Sequence, residues 1–217
     1  MRRLLWLCLI VELGSCTKGV QPATAFKVNN RAQLVGGQRA LGDVGDFKLS
    51  NGIIHAIVQD VGYSRGFGAF GGSLIDVDLV RGSRSSATQG VQGNDYFTEM
   101  FPAFFLQAIE PAKVEVTADG SDGGPAIITV SGRGGDFISI VKIANDLLIP
   151  KVDTDYQVQY ILEPGKQYLK VVTTVFNHDA QRRDSQYTLT IPFGFITLVG
   201  EGQHLFVPGG EGFDMRY

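Results

Sequence analysis

Apolar and polar residues alternate along this chain in short runs set between turn-forming residues. No window of a dozen residues sustains apolar positions at i, i+3, i+4 and i+7. Asp46-Phe47-Lys48-Leu49 places Phe47 and Leu49 on one face, and Ser50-Asn51-Gly52 supplies a reversal, Asn-Gly being the strongest short hairpin signal. Residues 53–59 return as a mixed apolar run, which predicts a strand buried on both faces near a sheet centre. A glycine-rich loop then leads into a strand over 74–79, and the polar stretch 83–94 reads as an exposed excursion. The aromatic segment 96–109, with Phe97, Phe101, Phe104 and Phe105 around Pro102, predicts a buried strand or bend. Residues 113–118 alternate cleanly, 119–125 turn the chain, 126–131 pair back as a hairpin, and 137–143 continue the sheet. Tyr156, Val158, Tyr160 and Leu162 share a face, residues 163–166 turn, and Leu169, Val171, Thr173 and Val175 share the next face. A last strand is predicted over 187–198, with Pro192 marking an edge or bulge. About ten or more strands with little helix predict an all-β fold, an antiparallel β-sandwich.

The loop before residue 74 matches GxGxxG at Gly66, Gly68 and Gly71. That pattern binds a dinucleotide only when a helix leaves it, and here a β-type run leaves it, so the nucleotide reading fails. The glycines are expected instead to let the backbone turn tightly and approach a neighbouring strand where a Cβ would clash. Asp76 and Asp78 lie two apart on the following strand and share a face, with Ile75, Val77 and Leu79 expected toward the core. That acidic face has two readings. It is a solvent face or a cap of the glycine loop, or it is a carboxylate pair for acid/base work or cation binding, joined in space by Asn94, Asp95 and Glu99. Tyr63, Phe67 and Phe70 in the loop could stack on sugar rings or plug the end of the sandwich.

Other chemistry is sparse. His55, His178 and His204 have no partner at a metal-ligand spacing, and Asp119 and Asp122 are better explained by a hairpin turn than by a calcium loop. No catalytic residue, metal ligand or cofactor is assigned.

The N-terminus changes the picture most. Arg2-Arg3 followed by the apolar run 4–11 has the form of an export signal, too short for a membrane span. Leu13-Gly14-Ser15-Cys16 resembles the lipobox of bacterial lipoproteins, which implies cleavage before Cys16 and a lipid on that residue. Apart from Cys16 the mature chain has no cysteine, so acylation explains an otherwise unpaired thiol in an exported protein and no disulfide can staple the fold. Residues 1–15 are thus expected to be a signal peptide, 16–25 a tether, and 26–217 a single β-sandwich domain. The glycine-rich stretch 209–217 has no packing pattern and suggests that the domain is truncated there. A net charge of -3 gives no electrostatic footprint for nucleic acid.

From about residue 42 to 132 the chain resembles the N-terminal β-sandwich of large secreted bacterial lipoproteins. The matching segments are Gly45-Asp46-x-x-Leu49-x-Asn51, the apolar strand 53–58, the stretch from Gly66 to Asp76, Asp95 and Glu99 before Met100-Phe101-Pro102, and the run from Val114 to Asp122. The strand Leu169-Lys-Val-Val-Thr-Thr-Val-Phe-Asn177 is similar to the long strand of galactose-mutarotase-like supersandwiches. In such proteins the sandwich precedes carboxypeptidase-regulatory-like or metal-dependent hydrolase modules, and the histidine-rich motifs of the latter are absent here. The resemblance therefore implies a non-catalytic accessory or binding module of the bacterial cell envelope, anchored at the outer membrane or facing the periplasm, with a further domain downstream and carbohydrate as the first candidate ligand. The rival reading is a glycan-active or metal-dependent enzyme in which Asp76, Asp78, Asp95 and Glu99 converge.

Overall fold

The structure is a computed structural model that describes residues 20–80, 93–95, 97–104, 107–136 and 154–178. Its elements are β1 (Thr24–Lys27), a 3-10 turn (Arg31–Gln33), β2 (Phe47–Ser50), β3 (Ile54–Val58), β4 (Leu74–Leu79), β5 (Ala103–Phe104), β6 (Gln107–Asp119), β7 (Ala126–Asp136), β8 (Thr154–Leu162) and β9 (Lys170–Asn177). They form two antiparallel sheets, of order β1-β2-β3-β4 and β5-β6-β7-β8-β9. The fold is all-β with almost no helix, consistent with a β-sandwich. Nine strands stand among the described residues, against the ten or more expected; 137–143 and 187–198 lie outside them.

One hydrophobic core draws on both sheets, with Leu49, Ala56, Val58 and Leu74 from the first and Ile128, Val130, Val158, Tyr160 and Leu162 from the second. The period-2 pattern produces this directly: along β8, buried and half-buried residues alternate without a break. Burial of each such aliphatic side chain contributes about 1.5–3 kcal/mol by transfer from water. Two polar anchors tie the sheets. The Tyr160 hydroxyl donates to the carbonyl of Gly72 at 3.0 Å, and the Asn51 amide donates to the carbonyls of Glu163 and Lys166 at 2.8 and 2.7 Å.

Several boundaries depart from the sequence reading for physical reasons. β1 begins at Thr24, inside the stretch expected to be tether, because Ala23 and Ala25 are buried against the core. β6 runs through Pro111, which the ladder accommodates by a register shift between Pro111 and Lys113. β7 continues past 131 through Gly132, Gly134 and Gly135, where the strand passes so close to its neighbours that a Cβ at Gly135 would press on the Phe70 ring at 2.7 Å. The turn from Asp119 to Gly124 is closed by its own side chains, with the Asp119 carboxylate accepting from the Ser121 N–H and that of Asp122 from the Gly124 N–H.

The strand directions sort the loops into two ends. The chain enters β1 at the end holding the turns 51–53, 120–125 and 163–169, with Thr24 opposite Ser50 and Val20 beside Gly165. β3 runs from that end to the other, where Val58 leads into the loop 59–73. Phe70 meets Gly135 there, near the Thr154 end of β8.

Candidate functional site

The glycine loop is a hairpin-like excursion from β3 to β4. It is closed by a bridge between Tyr63 and Phe70 and by the Gly71 N–H donating to the Gly62 carbonyl at 2.8 Å. At its centre lies Glu99, fully buried. Ser64 and Ser73 hydroxyls donate to its Oε1 at 2.6 and 2.7 Å, and the Gly68 N–H donates to its Oε2 at 2.6 Å. A Cβ at Gly66 would overlap the carboxylate and one at Gly68 would stand 2.9 Å from it. These glycines thus let backbone approach a buried carboxylate, the same steric logic that serves a pyrophosphate, applied to a residue of the chain itself. The loop is braced further by buried Gln59, whose amide donates to the Tyr63 carbonyl at 2.6 Å and accepts from the Arg65 N–H at 3.0 Å.

Asp46 performs a parallel task that the sequence reading missed. It is buried, accepts from the Asp43 and Asp60 N–H groups at 2.8 and 3.0 Å, and pairs with the Arg65 guanidinium, whose Nε donates to the Leu41 carbonyl at 2.8 Å. The signal available was its place directly after Gly45, a glycine with φ +105 at the mouth of β2.

Asp76, Asp78 and Asp95 gather elsewhere, on the outer face of the first sheet. Asp76 and Asp78 do share that face, opposite Ile57 and His55 respectively. The expectation that Ile75 faces the core is overturned. A register shift at this point of β4 puts Ile75 on the outer face, in a small cluster with Val28, Val35 and Ile57, while Val77 packs on the main core and Leu79 is exposed. The outer face is not open to solvent at Asp76: residues 28–45 cover it. Asp76 is buried and accepts from the Leu41 and Gly42 N–H groups at 2.7 and 3.0 Å. Asp78 accepts from Leu79 and Asn94 N–H groups, each at 2.7 Å.

Asp95 is the exceptional member. Its Oδ1 accepts from the Val77 and Phe97 N–H groups at 3.1 Å each, whereas Oδ2 is buried without a hydrogen-bond partner. Burial pushes this carboxyl up to about 7; the two N–H groups oppose the rise and the charges of Asp76 and Asp78 add to it. Burial likewise raises Asp76.

The four acidic residues therefore do not converge on one centre. Three form a cluster on the sheet's outer face, and Glu99 sits in the glycine loop with a separate set of partners. Among the described residues no group of three His, Cys, Asp or Glu side chains is arranged to hold a metal ion. The chemistry of these carboxyls is that of loop anchors, each binding backbone N–H groups that a strand cannot satisfy.

The three loop aromatics part ways. Phe70 is a plug, packed on Phe101, Ala103 and Ala108. Phe67 tilts against Phe101 with ring centroids 5.5 Å apart, yet stays 50% exposed, and Tyr63 is 90% exposed. His178 pairs with Asp155 on the surface at 2.8 Å. Cys16 and His204 lie outside the described residues. Comparison with family models, curated proteins and solved structures found no match.

Proposed function

We propose that this chain is a lipid-anchored protein of the bacterial cell envelope whose β-sandwich, of the supersandwich type, is a non-catalytic accessory module that holds out a binding loop for carbohydrate. The observation that carries this reading is the exposure of Tyr63 and half of Phe67 on a loop whose backbone is fixed from within by Glu99 and Gln59. Rigid, exposed aromatic faces are what sugar rings stack on, and a loop already ordered in the free protein loses little entropy on binding. Position supports the same reading. The N-terminal tether leaves from one end of the sandwich and the loop stands at the other, so a lipid on Cys16 would leave the loop facing away from the membrane. The engagement of Asp46, Asp76, Asp78 and Glu99 by backbone N–H groups favours anchoring over acid/base work. A further domain after the sandwich completes the proposal.

Two outcomes are expected. In affinity electrophoresis through a panel of polysaccharides the protein is retarded by at least one, and Tyr63→Ala weakens that retardation about 3- to 10-fold, the equivalent of a lost stacking contact of roughly 0.5–1.5 kcal/mol. Equal retardation of variant and parent sinks the loop assignment, and no retardation by any polysaccharide sinks the carbohydrate reading. Separately, Cys16→Ser is expected to move the protein from the membrane fraction to the soluble periplasm; persistent membrane association would disprove the lipid anchor.

A further inference from the structure

Asn51-Gly52 is the only Asn-Gly pair in the chain, and the fold leaves no other choice at either position. Gly52 has φ +77, and a Cβ there would lie 2.8 Å from the Gln21 side chain. Asn51 is fully buried and uses its amide completely. Oδ1 accepts from the Ile53 and Ile54 N–H groups at 3.1 Å each, and Nδ2 donates to the carbonyls of Glu163 and Lys166. One side chain thus closes the β2–β3 turn and fastens it to the turn between β8 and β9, more than 100 residues away in the sequence.

The same dipeptide is chemically labile. With no side chain on the following residue, the backbone nitrogen of Gly52 can lose its proton and attack Cγ of Asn51, forming a five-membered succinimide and expelling ammonia. Water then opens the ring at one carbonyl or the other, leaving aspartate or isoaspartate at position 51. The net change is the exchange of ammonia for water, with no oxidant or reductant. The attack requires the Asn51 side chain to swing toward the Gly52 nitrogen and its amide nitrogen to depart. In the folded protein that nitrogen is held by two carbonyls and the oxygen by two N–H groups.

We infer that Asn51-Gly52 is a conditional modification site, closed while residues 163–166 hold the Asn51 amide and open once the chain unfolds, where spontaneous deamidation leaves a product that refolds poorly. The block follows from the same contacts. A carboxylate at position 51 has no hydrogen to give the Glu163 and Lys166 carbonyls, and sets negative charge against their oxygens in a buried place. An isoaspartate also inserts an extra carbon into the main chain of a turn whose geometry is tightly held. Each excursion to the unfolded state at neutral or alkaline pH then carries a chance of permanent loss, which converts reversible unfolding into an irreversible process. For an exported protein with no disulfide to limit unfolding, this sets a chemical clock on time spent unfolded.

The test incubates the full chain over days at pH 8, in native buffer and in urea, and follows the tryptic peptide 49–65, which holds a single asparagine. The expected result is a gain of about one mass unit at Asn51 that is roughly tenfold or more faster in urea, with a further acceleration as pH is raised. Equal rates in the two buffers would show that the fold does not protect the site, and no gain in urea would show that the site is not labile; either overturns the inference. The urea sample is then diluted to refold, and the folded and unfolded fractions are separated and digested. Modified peptide is expected to be enriched in the fraction that fails to refold, and Asn51→Asp made directly is expected to refold in lower yield than the parent. Equal distribution of modified peptide between the fractions, or parental refolding of Asn51→Asp, overturns the block.

Discussion

Glu99→Ala is expected to lower the unfolding free energy by about 3–5 kcal/mol, and Glu99→Gln by only about 1–2 kcal/mol. The alanine variant removes a buried side chain that accepts three hydrogen bonds and leaves the Gly68 N–H facing a void, with the space between Ser64 and Ser73 unfilled. The Ser64 and Ser73 hydroxyls can turn to other partners; the backbone N–H cannot. Glutamine keeps an oxygen for Gly68 and presents an amide toward the two hydroxyl oxygens, which can accept. What it loses is the charge-assisted strength of the original bonds, and Ser64 must then accept twice, since it already accepts from the Gly66 N–H. Urea unfolding of both variants, followed by far-ultraviolet circular dichroism, gives the ordering. Alanine and glutamine variants of equal stability would mean that neither the volume of the side chain nor the hydrogen bonds a neutral amide keeps hold the loop. Limited proteolysis adds a local readout: the alanine variant should be cut after Arg65 under conditions where the glutamine variant and the parent are not.

Much of the fold was legible because sandwich strands obey a single rule. Burial alternates along β8 as the apolar pattern of Tyr156, Val158, Tyr160 and Leu162 requires, and the Asn51-Gly52 reversal falls between β2 and β3 where the turn chemistry places it. The pattern fails where long-range packing overrides local preference. β6 crosses Pro111 and β7 runs through three glycines, residues that locally argue against a strand and are tolerated only because the neighbouring strand bulges or approaches too closely for a side chain.

The candidate site was half legible for a related reason. Spacing placed Asp76 and Asp78 on one face, and the register agrees, but spacing cannot reveal that residues 28–45 fold back over that face and spend their N–H groups on Asp76. Nor could it foresee the shift that turns Ile75 outward. The glycine motif is a place of close approach, but what Gly66 and Gly68 approach is not a neighbouring strand: it is Glu99, from a segment more than 25 residues further on. Asp46 and Asn51 belong to the same class: polar residues at strand ends that join local N–H groups to partners distant along the chain.

Asp95 should make the stability of this protein fall as pH rises through neutrality, and Asp95→Asn should make that fall smaller. The sign follows from which state holds the proton. In the unfolded chain the carboxyl ionises near its ordinary value of 3.8, whereas in the folded protein burial keeps it protonated up to about 7. Its stabilising contribution is therefore complete below the unfolded value, declines by up to about 1.4 kcal/mol per pH unit between the two, and is lost as pH passes the folded value. Between pH 5 and pH 8 the parent should lose about 2–3 kcal/mol relative to the variant. Asparagine retains an oxygen for the Val77 and Phe97 N–H groups but places an amide where Oδ2 has no partner, a cost of about 1–3 kcal/mol that does not vary with pH. The variant should thus be the weaker protein below about pH 4, lie within about 1 kcal/mol of the parent at pH 5 and exceed it at pH 8. Asp76, raised in the same direction, is present in both proteins, and its effect largely cancels in the difference. Urea melts of the pair at the two pH values decide the matter: parallel curves would mean that Asp95 ionises in the folded protein as it does in the unfolded chain, and that its buried oxygen finds a partner once charged.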